Sequence, residues 1–204
     1  MRKRMSAAVR LVATFGILMM LAACSSESSQ PGQASDNAKA GAEKATPPSD
    51  KGDRVVTGGD LSFMMDAATG GMAEVELGRL ATERAVDKDV KQFAQRMITD
   101  HTGAGAGLKQ LAAQKKVTPP AELTPQQKET MEKLAKLNGA DFDREYVKAM
   151  VADHVKDVTA FEATAKGATD QDVKAYAAKT LPTLQEHLKM IRDIDAKMGA
   201  KPKS

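Results

Sequence analysis

The side chains best suited to chemistry in this sequence are its three histidines, because each directly follows a carboxylate residue. The pairs are Asp100-His101, Asp153-His154 and Glu186-His187. Imidazole and carboxylate groups together are ligands that zinc, iron, manganese and copper(II) accept. At helical spacing, Asp100 interrupts a stripe that includes Phe93 and Met97, and such a stripe normally stays apolar because it faces the core. The pairs therefore predict polar groups inside a helical protein.

A single layer would bring these groups together with one further acid. Glu74 lies near the centre of the first predicted helix, and the histidines lie at or near the centres of the next three long helices. The central levels of antiparallel helices coincide, so we expect one polar layer in the middle of a bundle. Its predicted members are Glu74, Asp100, His101, Asp153, His154, Glu186 and His187. Met97 and Met150 each precede a histidine by four residues and add a softer option, copper(I) held by thioether and imidazole.

Three interpretations of this layer stay open. In the first, it holds a transition-metal ion, and the neighbouring acids orient the imidazole rings. In the second, it is a hydrogen-bond network without an ion that fixes the register of the helices, and the methionines only pack. In the third, the histidines lie apart on the outside of the bundle and form no site.

Four long helices must position these residues. Hydrophobic periodicity and end signals predict helices over about residues 60–85, 87–116, 141–167 and 170–198. A shorter helix is predicted over about 125–137, since Thr124 is a good N-cap and Pro125 suits the first helical position. Asn138-Gly139 is predicted to end that short helix, Thr169 to cap the last long helix and Gly199 to end it.

An internal repeat indicates how the helices pair. Residues Asp87–Ala94 match Asp170–Ala177, which makes the second and fourth long helices counterparts. The first and third long helices align more weakly, through Phe63 with Phe142 and Glu74 with Asp153. Two helical hairpins joined by a long connection predict an all-α four-helix bundle, with the short extra helix in the connection between helices 2 and 3. That connection either crosses from one end of the bundle to the other or packs across one end.

The first residues predict export. Met1-Arg2-Lys3-Arg4 is a basic start, and the apolar segment that follows is too short for a permanent membrane span. The segment ends in Leu21-Ala22-Ala23-Cys24, which looks like a bacterial lipobox. We therefore predict that Cys24 becomes the lipidated N-terminus and anchors the chain to a membrane of the cell envelope, on the periplasmic side or at the outer membrane. The alternative is plain secretion with a free thiol at Cys24.

These signals divide the chain into four parts. We predict a signal peptide over residues 1–23, the lipidated cysteine and a disordered tether over 24–59, the bundle domain over 60–199 and a tail over 200–204. The tether is predicted because residues 25–59 are rich in Ser, Gly, Ala, Pro, Asp and Lys and have almost no large apolar residue. Since Cys24 is the single cysteine, an intramolecular disulfide is excluded.

Charge and motifs exclude several classes of function. Of the 30 basic residues, four lie in the predicted signal peptide, which leaves 26 against 27 acidic residues. Without a basic patch that includes aromatic residues, we expect no nucleic-acid binding. The sequence contains no Gly-x-Ser-x-Gly, phosphate loop or dinucleotide fingerprint, so we do not expect classical hydrolase or kinase chemistry and favour a protein that is not an enzyme.

A set of residues spread over residues 61–198 resembles a known bacterial family. The matching positions include Phe63, Gly71, Glu74-Val75, Leu77-Gly78, Phe93-Ala94, Asp100-His101, Phe142-Asp143, Tyr146, His154, Leu181-Pro182 and His187-Leu188. The pattern is similar to the exported family catalogued as domain of unknown function 4142. The resemblance implies a ferritin-like four-helix bundle in the cell envelope and supplies no activity. Metal-using ferritin-like proteins carry Glu-x-x-His, whereas here the acid directly precedes the histidine, so the two side chains project about 100° apart.

Two hypotheses for function follow. The first is a membrane-anchored envelope lipoprotein whose bundle is a binding or structural module, with stress tolerance as a candidate role. The second is a ferritin-like protein that binds a transition metal, with redox activity as an option, through the predicted layer of histidines and carboxylates.

Overall fold

The computed structural model describes residues 56–200, which form five α-helices and no strand. The helices are α1 (Gly58–Arg84), α2 (Lys88–Gln114), α3 (Pro125–Ala135), α4 (Gly139–Gly167) and α5 (Gln171–Ala200). The predicted all-α bundle with an extra helix in its connection is therefore confirmed. The predictions for the signal peptide, Cys24 and most of the tether fall outside the described residues.

The predicted ends of the helices need small corrections. The bundle begins earlier than residue 60, because α1 starts at Gly58 and Val56 is already buried. The short helix α3 has the predicted capping box at Thr124 but ends at Ala135, and Asn138 is instead the N-cap of α4. Gly199 does not end α5, which continues to Ala200.

Two aspartates start the second helix of each hairpin. The Asp87 carboxylate accepts hydrogen bonds from the backbone N–H groups of Asp89 and Val90, and the Asp170 carboxylate accepts from Asp172 and Val173. The cap of α5 is therefore Asp170 and not the predicted Thr169. Side-chain caps of this kind satisfy backbone donors that a helix start leaves without partners.

Two further aspartates tie each hairpin to the turn of the other. The Asp143 carboxylate of α4 accepts from the backbone N–H groups of Val86 and Asp87, with a shortest distance of 2.8 Å. The Asp60 carboxylate of α1 accepts from the backbone N–H groups of Thr169 and Asp170 and from the Thr169 hydroxyl, at 2.7–2.9 Å. The α1–α2 and α4–α5 hairpins are thus locked together reciprocally.

These ties correct the register of the internal repeat. Asp60 and Asp143 perform the same task and are separated along the sequence by the same interval as Asp87 and Asp170. At that interval the counterpart of Glu74 is Asp157, and the predicted pairing of Glu74 with Asp153 is wrong by about one helical turn.

The connection between α2 and α4 runs the length of the bundle. Lys115, just after α2, pairs with Asp170 at the start of α5 at 2.7 Å. The start of α4 lies at the opposite end, because Asp143 binds the turn that precedes α2. Residues 115–138, including α3, therefore cross from one end to the other, which resolves the two paths left open by the sequence. None of the helices in 56–200 has the length and continuous apolarity needed to cross a bilayer.

The apolar core has two halves. One half lies toward the α1–α2 turn and includes Leu77, Phe93, Met97, Phe142, Tyr146, Met150 and Ile191. The other half lies toward the α4–α5 turn and includes Phe63, Met64, Leu108, Phe161, Val173 and Leu184. Glu74 and the three histidines are buried between them.

Candidate metal centre

Three helices each bring one histidine to the interface between the two core halves. His101 comes from α2, His154 from α4 and His187 from α5, and all three side chains are buried. The ring centroids are 5.4–5.8 Å apart, and one nitrogen from each ring lies within 4.8 Å of those of the other two. The predicted meeting of the three rings in the bundle interior is what the structure has.

One nitrogen of each ring contacts a hydrogen-bond acceptor. His101 Nδ1 lies 2.8 Å from the Glu74 carboxylate, His187 Nε2 lies 2.8 Å from the Asp100 carboxylate, and His154 Nδ1 lies 2.9 Å from the backbone carbonyl of Met150. Since an ionised carboxylate or a carbonyl only accepts, each of these nitrogens carries a proton and donates.

The other nitrogen of each ring has no hydrogen-bond partner. These atoms are His101 Nε2, His154 Nε2 and His187 Nδ1, all buried. In a neutral imidazole whose first nitrogen carries the proton, the second has a free lone pair. The three rings therefore present up to three lone pairs inside the bundle. Leaving such acceptors buried and unpaired costs free energy that a bound ion would recover.

Glu74 is the acid at the centre of this arrangement. Its Oε2 accepts from His101, while its Oε1 lies 3.4 Å from His154 Nδ1 and has no hydrogen-bond partner. The His154 Nδ1 proton is directed at the nearer Met150 carbonyl, so the longer contact is electrostatic. Although burial opposes ionisation, the charge and hydrogen bond of His101 hold the pKa of Glu74 below its usual value.

Burial and neighbouring charge give the three imidazoles different proton affinities. Burial lowers the pKa of His187 to about 4 and also lowers that of His154. For His101, burial acts in the same direction, but the Glu74 carboxylate outweighs it and the pKa is raised. Near neutral pH the ionised Glu74 thus faces two neutral rings and one that holds a second proton more strongly.

Asp100 holds His187 from the outer side of the layer. Its carboxylate also pairs with the Arg96 side chain, whose Nη2 reaches Glu186 at 3.1 Å. Glu186 has a side chain that is 55% exposed and takes no part in the buried layer, which corrects its predicted place there. Sequence reasoning did not predict Arg96, although its spacing of four residues before Asp100 is typical of a helical ion pair.

Two aspartates of α4 differ from the predicted layer. Asp153 is only partly buried and is not among the buried groups that meet, although burial and the Glu74 charge raise its pKa to about 6. Asp157 was not predicted, yet burial raises its pKa to about 8, with a further contribution from Glu74. The available signal was its spacing, since a residue three positions after His154 shares a helical face with it.

Met97 and Met150 are fully buried in the core half nearer the α1–α2 turn. There they pack among apolar and aromatic side chains, as methionine commonly does in cores. Met150 also contributes its backbone carbonyl as the acceptor for His154. Copper(I) ligation by these thioethers stays a prediction.

A narrow recess leads from the surface to the Glu74–His101 pair. Its walls include the small residues Gly70 and Gly105 and the side chain of Asp157. The space open to a water-sized molecule is about 20 Å³, which is room for about one water.

The donor set suits a transition-metal ion. Metal-bound histidine usually donates its second ring N–H to a carboxylate or a backbone carbonyl, and all three rings here do so. One nitrogen from each ring lies within 4.8 Å of the other two, so some point is no farther than about 2.8 Å from each of these three atoms. Inward movement of each ring by less than about 1 Å would reach the roughly 2.0–2.1 Å of a zinc–imidazole bond.

Comparisons with other proteins give a family and a fold. Residues 45–194 match the family described as Domain of unknown function (DUF4142). No curated protein is significantly similar to the chain. A predicted secreted DUF305 protein from Streptomyces coelicolor has a similar structure, with a TM-score of 0.59, 18% identity, and coverage of 72% of this chain and 96% of that chain. A DUF305 fragment from Deinococcus radiodurans is also similar, with a TM-score of 0.62, 12% identity and coverage of 71% and 99%.

Proposed function

The chain belongs to the DUF4142 family, a domain of unknown function, and we propose that its bundle binds one divalent transition-metal ion, Zn²⁺ or Cu²⁺. The ligands are the three unpartnered ring nitrogens of His101, His154 and His187. The single observation that carries the proposal is that each ring is held by its other nitrogen and leaves a buried nitrogen without a partner. Imidazole suits both ions, and copper(II) binds such sites more tightly than zinc.

Three protein ligands leave a coordination position open on the ion. Zinc sites with three protein ligands take a water or a substrate there. Glu74 contacts His101 and His154 at Nδ1, the ring nitrogen opposite the ligand atom, so it orients these rings and leaves the open position to a water. Because the pKa of His101 is raised, the ion displaces a proton from that ring, and we expect affinity to fall as the pH falls.

The test is titration of metal-free protein with Zn²⁺ and Cu²⁺ by calorimetry, together with elemental analysis of protein purified from its native envelope. We expect saturable binding of one ion per chain. The double substitution His101→Ala with His154→Ala should abolish it. Glu186→Gln is the matched control, because that exposed acid lies outside the layer and its loss should leave the stoichiometry unchanged. Failure to detect saturable binding of any first-row ion would remove the proposal.

A second candidate is the metal-free structural module. It is favoured by two contacts between helices that the layer already makes, the buried one of Glu74 in α1 with His101 in α2 and the partly buried one of Asp100 in α2 with His187 in α5. On this reading the same double substitution lowers the thermal midpoint, and added Zn²⁺ leaves that midpoint of the wild-type protein unchanged. If the ion binds, a free ion concentration of about 100 times its Kd would instead stabilise the fold by about 2.7 kcal/mol.

We also propose that the protein works in the cell envelope, attached by a lipid on Cys24. The lipobox-like sequence before Cys24 supports this, as does the likeness in fold to a predicted secreted protein. The Cys24→Ala variant should leave the membrane fraction and appear among soluble exported proteins. Unchanged fractionation of that variant would contradict lipid anchoring while leaving the metal site untouched.

A further inference from the structure

We infer that the recess beside Glu74 is the path by which the metal ion reaches and leaves the histidines, an inference that rests on the proposed function. The recess opens at the surface between α1, α2, α4 and α5 and ends at the Glu74–His101 pair. It thus joins solvent to Glu74, which within residues 56–200 is the acid that both contacts one of the three rings and has a buried oxygen without a partner.

Two carboxylates stand in sequence along this path. Asp157 lines the recess and is partly exposed, whereas Glu74 lies deeper and is only 2% exposed. Near neutral pH the ionised Glu74 supplies the negative charge that attracts a cation into this narrow opening, because burial raises the pKa of Asp157 to about 8. Both carboxyl groups offer oxygen ligands to an ion that must lose water molecules before it enters a space of about one water. The two acids occupy equivalent positions in the two hairpins, so they face the recess from α1 and α4.

Small residues keep the path open. A side-chain carbon added at Gly70 or at Gly105 would meet nothing within 4 Å, so both positions have free space. Gly103 lies on the same helix as Gly105 and has the same free space, but it does not line the recess. Glycine inside a helix lowers helix stability by about 1 kcal/mol relative to good helix formers. At Gly105 the absence of a side chain has a structural reason, because it keeps the recess wide.

The experiment compares metal exchange in the full chain and two variants that differ only in where a leucine is added. Co²⁺ uptake by metal-free protein is followed by stopped-flow absorption, and release is followed after adding excess EDTA. Gly105→Leu should slow uptake and release by the same factor, about tenfold for a barrier raised by about 1.4 kcal/mol, and leave Kd unchanged. Gly103→Leu should exchange metal at the wild-type rate, because Gly103 does not line the recess. It is a matched control, since both changes raise helix propensity equally.

Two further measurements keep the outcome clear. Gly70→Leu, on the opposite wall, should reproduce the slowing and replaces Gly105→Leu if circular dichroism shows that variant to be unfolded. Asp157→Ala, which removes the outer oxygen ligand and leaves the recess open, should slow uptake and release together. Wild-type rates in both leucine variants lining the recess would overturn the path, even if metal still binds. Wild-type protein that takes up no Co²⁺ and shows no saturable binding of Zn²⁺ or Cu²⁺ by calorimetry would overturn the metal site itself.

Discussion

The two buried histidines with opposite pKa shifts should give the metal-free bundle an unusual dependence of stability on pH. Burial lowers the pKa of His187 to about 4, from an ordinary value near 6.5. Between these values the unfolded chain binds a proton at this position and the folded chain does not. Acid therefore favours unfolding, and the stability is lost as the pH falls below about 6.5. For a shift of that size, the loss attributable to His187 is about 2 kcal/mol between pH 8 and pH 5.

His101 should act with the opposite sign. Its pKa is raised by Glu74, so the proton on His101 stabilises the folded state below the unfolded pKa near 6.5. That contribution disappears as the pH rises through the folded pKa. Replacing His101 by Gln should therefore cost more stability at pH 5 than at pH 8. Replacing His187 by Gln should cost less at pH 5, by about 2 kcal/mol.

Urea unfolding with EDTA present, at pH 5 and pH 8, measures both differences. Each variant is compared with wild type at the same pH, so protonation of other acids, including Asp157, largely cancels. The reasoning is refuted if His187→Gln and His101→Gln show the same change in destabilisation between the two pH values. That result would mean that Glu74 does not distinguish the two rings.

Three further predictions concern the frame around the layer. Tyr146→Phe should raise the free energy of unfolding by about 1 kcal/mol, because it removes a buried hydroxyl without a partner. A lower free energy of unfolding for this variant, measured by urea denaturation, would show that the hydroxyl is hydrogen-bonded. Gly78→Ala should lower the thermal midpoint, since its added carbon would lie 3.0 Å from the backbone of α2, whereas Gly103→Ala, in open space, should raise it by helix propensity. Asp60→Ala and Asp143→Ala should each lower the free energy of unfolding by about 2 kcal/mol, because each leaves backbone N–H groups in the turn of the other hairpin without their acceptor. A large decrease for only one of the two variants would argue against equivalent ties.

The helices and the meeting of the histidines could be predicted because both follow from local periodicity and position. Each histidine lies near the middle of a long helix, and antiparallel packing brings those middles to one level. The contributions of Asp153 and Glu186 could not be predicted from adjacency to a histidine, because neighbouring helical residues point in different directions. Glu186 turns outward to Arg96, and only the packing of α5 against α2 decides this.

The sequence did not predict Asp157 because it aligned α1 with α4 in the wrong register and paired Glu74 with Asp153. The weak match between α1 and α4 rests on aromatic residues that recur near each other, so alignment by residue type shifts the pairing by one turn. The true register is set by the ties that Asp60 and Asp143 make to distant turns. Such contacts join residues far apart in sequence, and no local pattern marks them.

The reciprocal ties between the hairpins bear on how many times the group of three histidines can occur in the fold. Two identical hairpins related by a two-fold axis would make both ties and would present every side chain twice. The histidines break that symmetry, because the equivalents of His101, His154 and His187 are Leu184, Gly71 and Ala104. A symmetric pair of α1–α2 hairpins would carry two rings and a pair of α4–α5 hairpins would carry four, so neither would reproduce the three rings that meet here. The group of three histidines is therefore single and off-axis, and it requires two hairpins that differ in sequence within one chain.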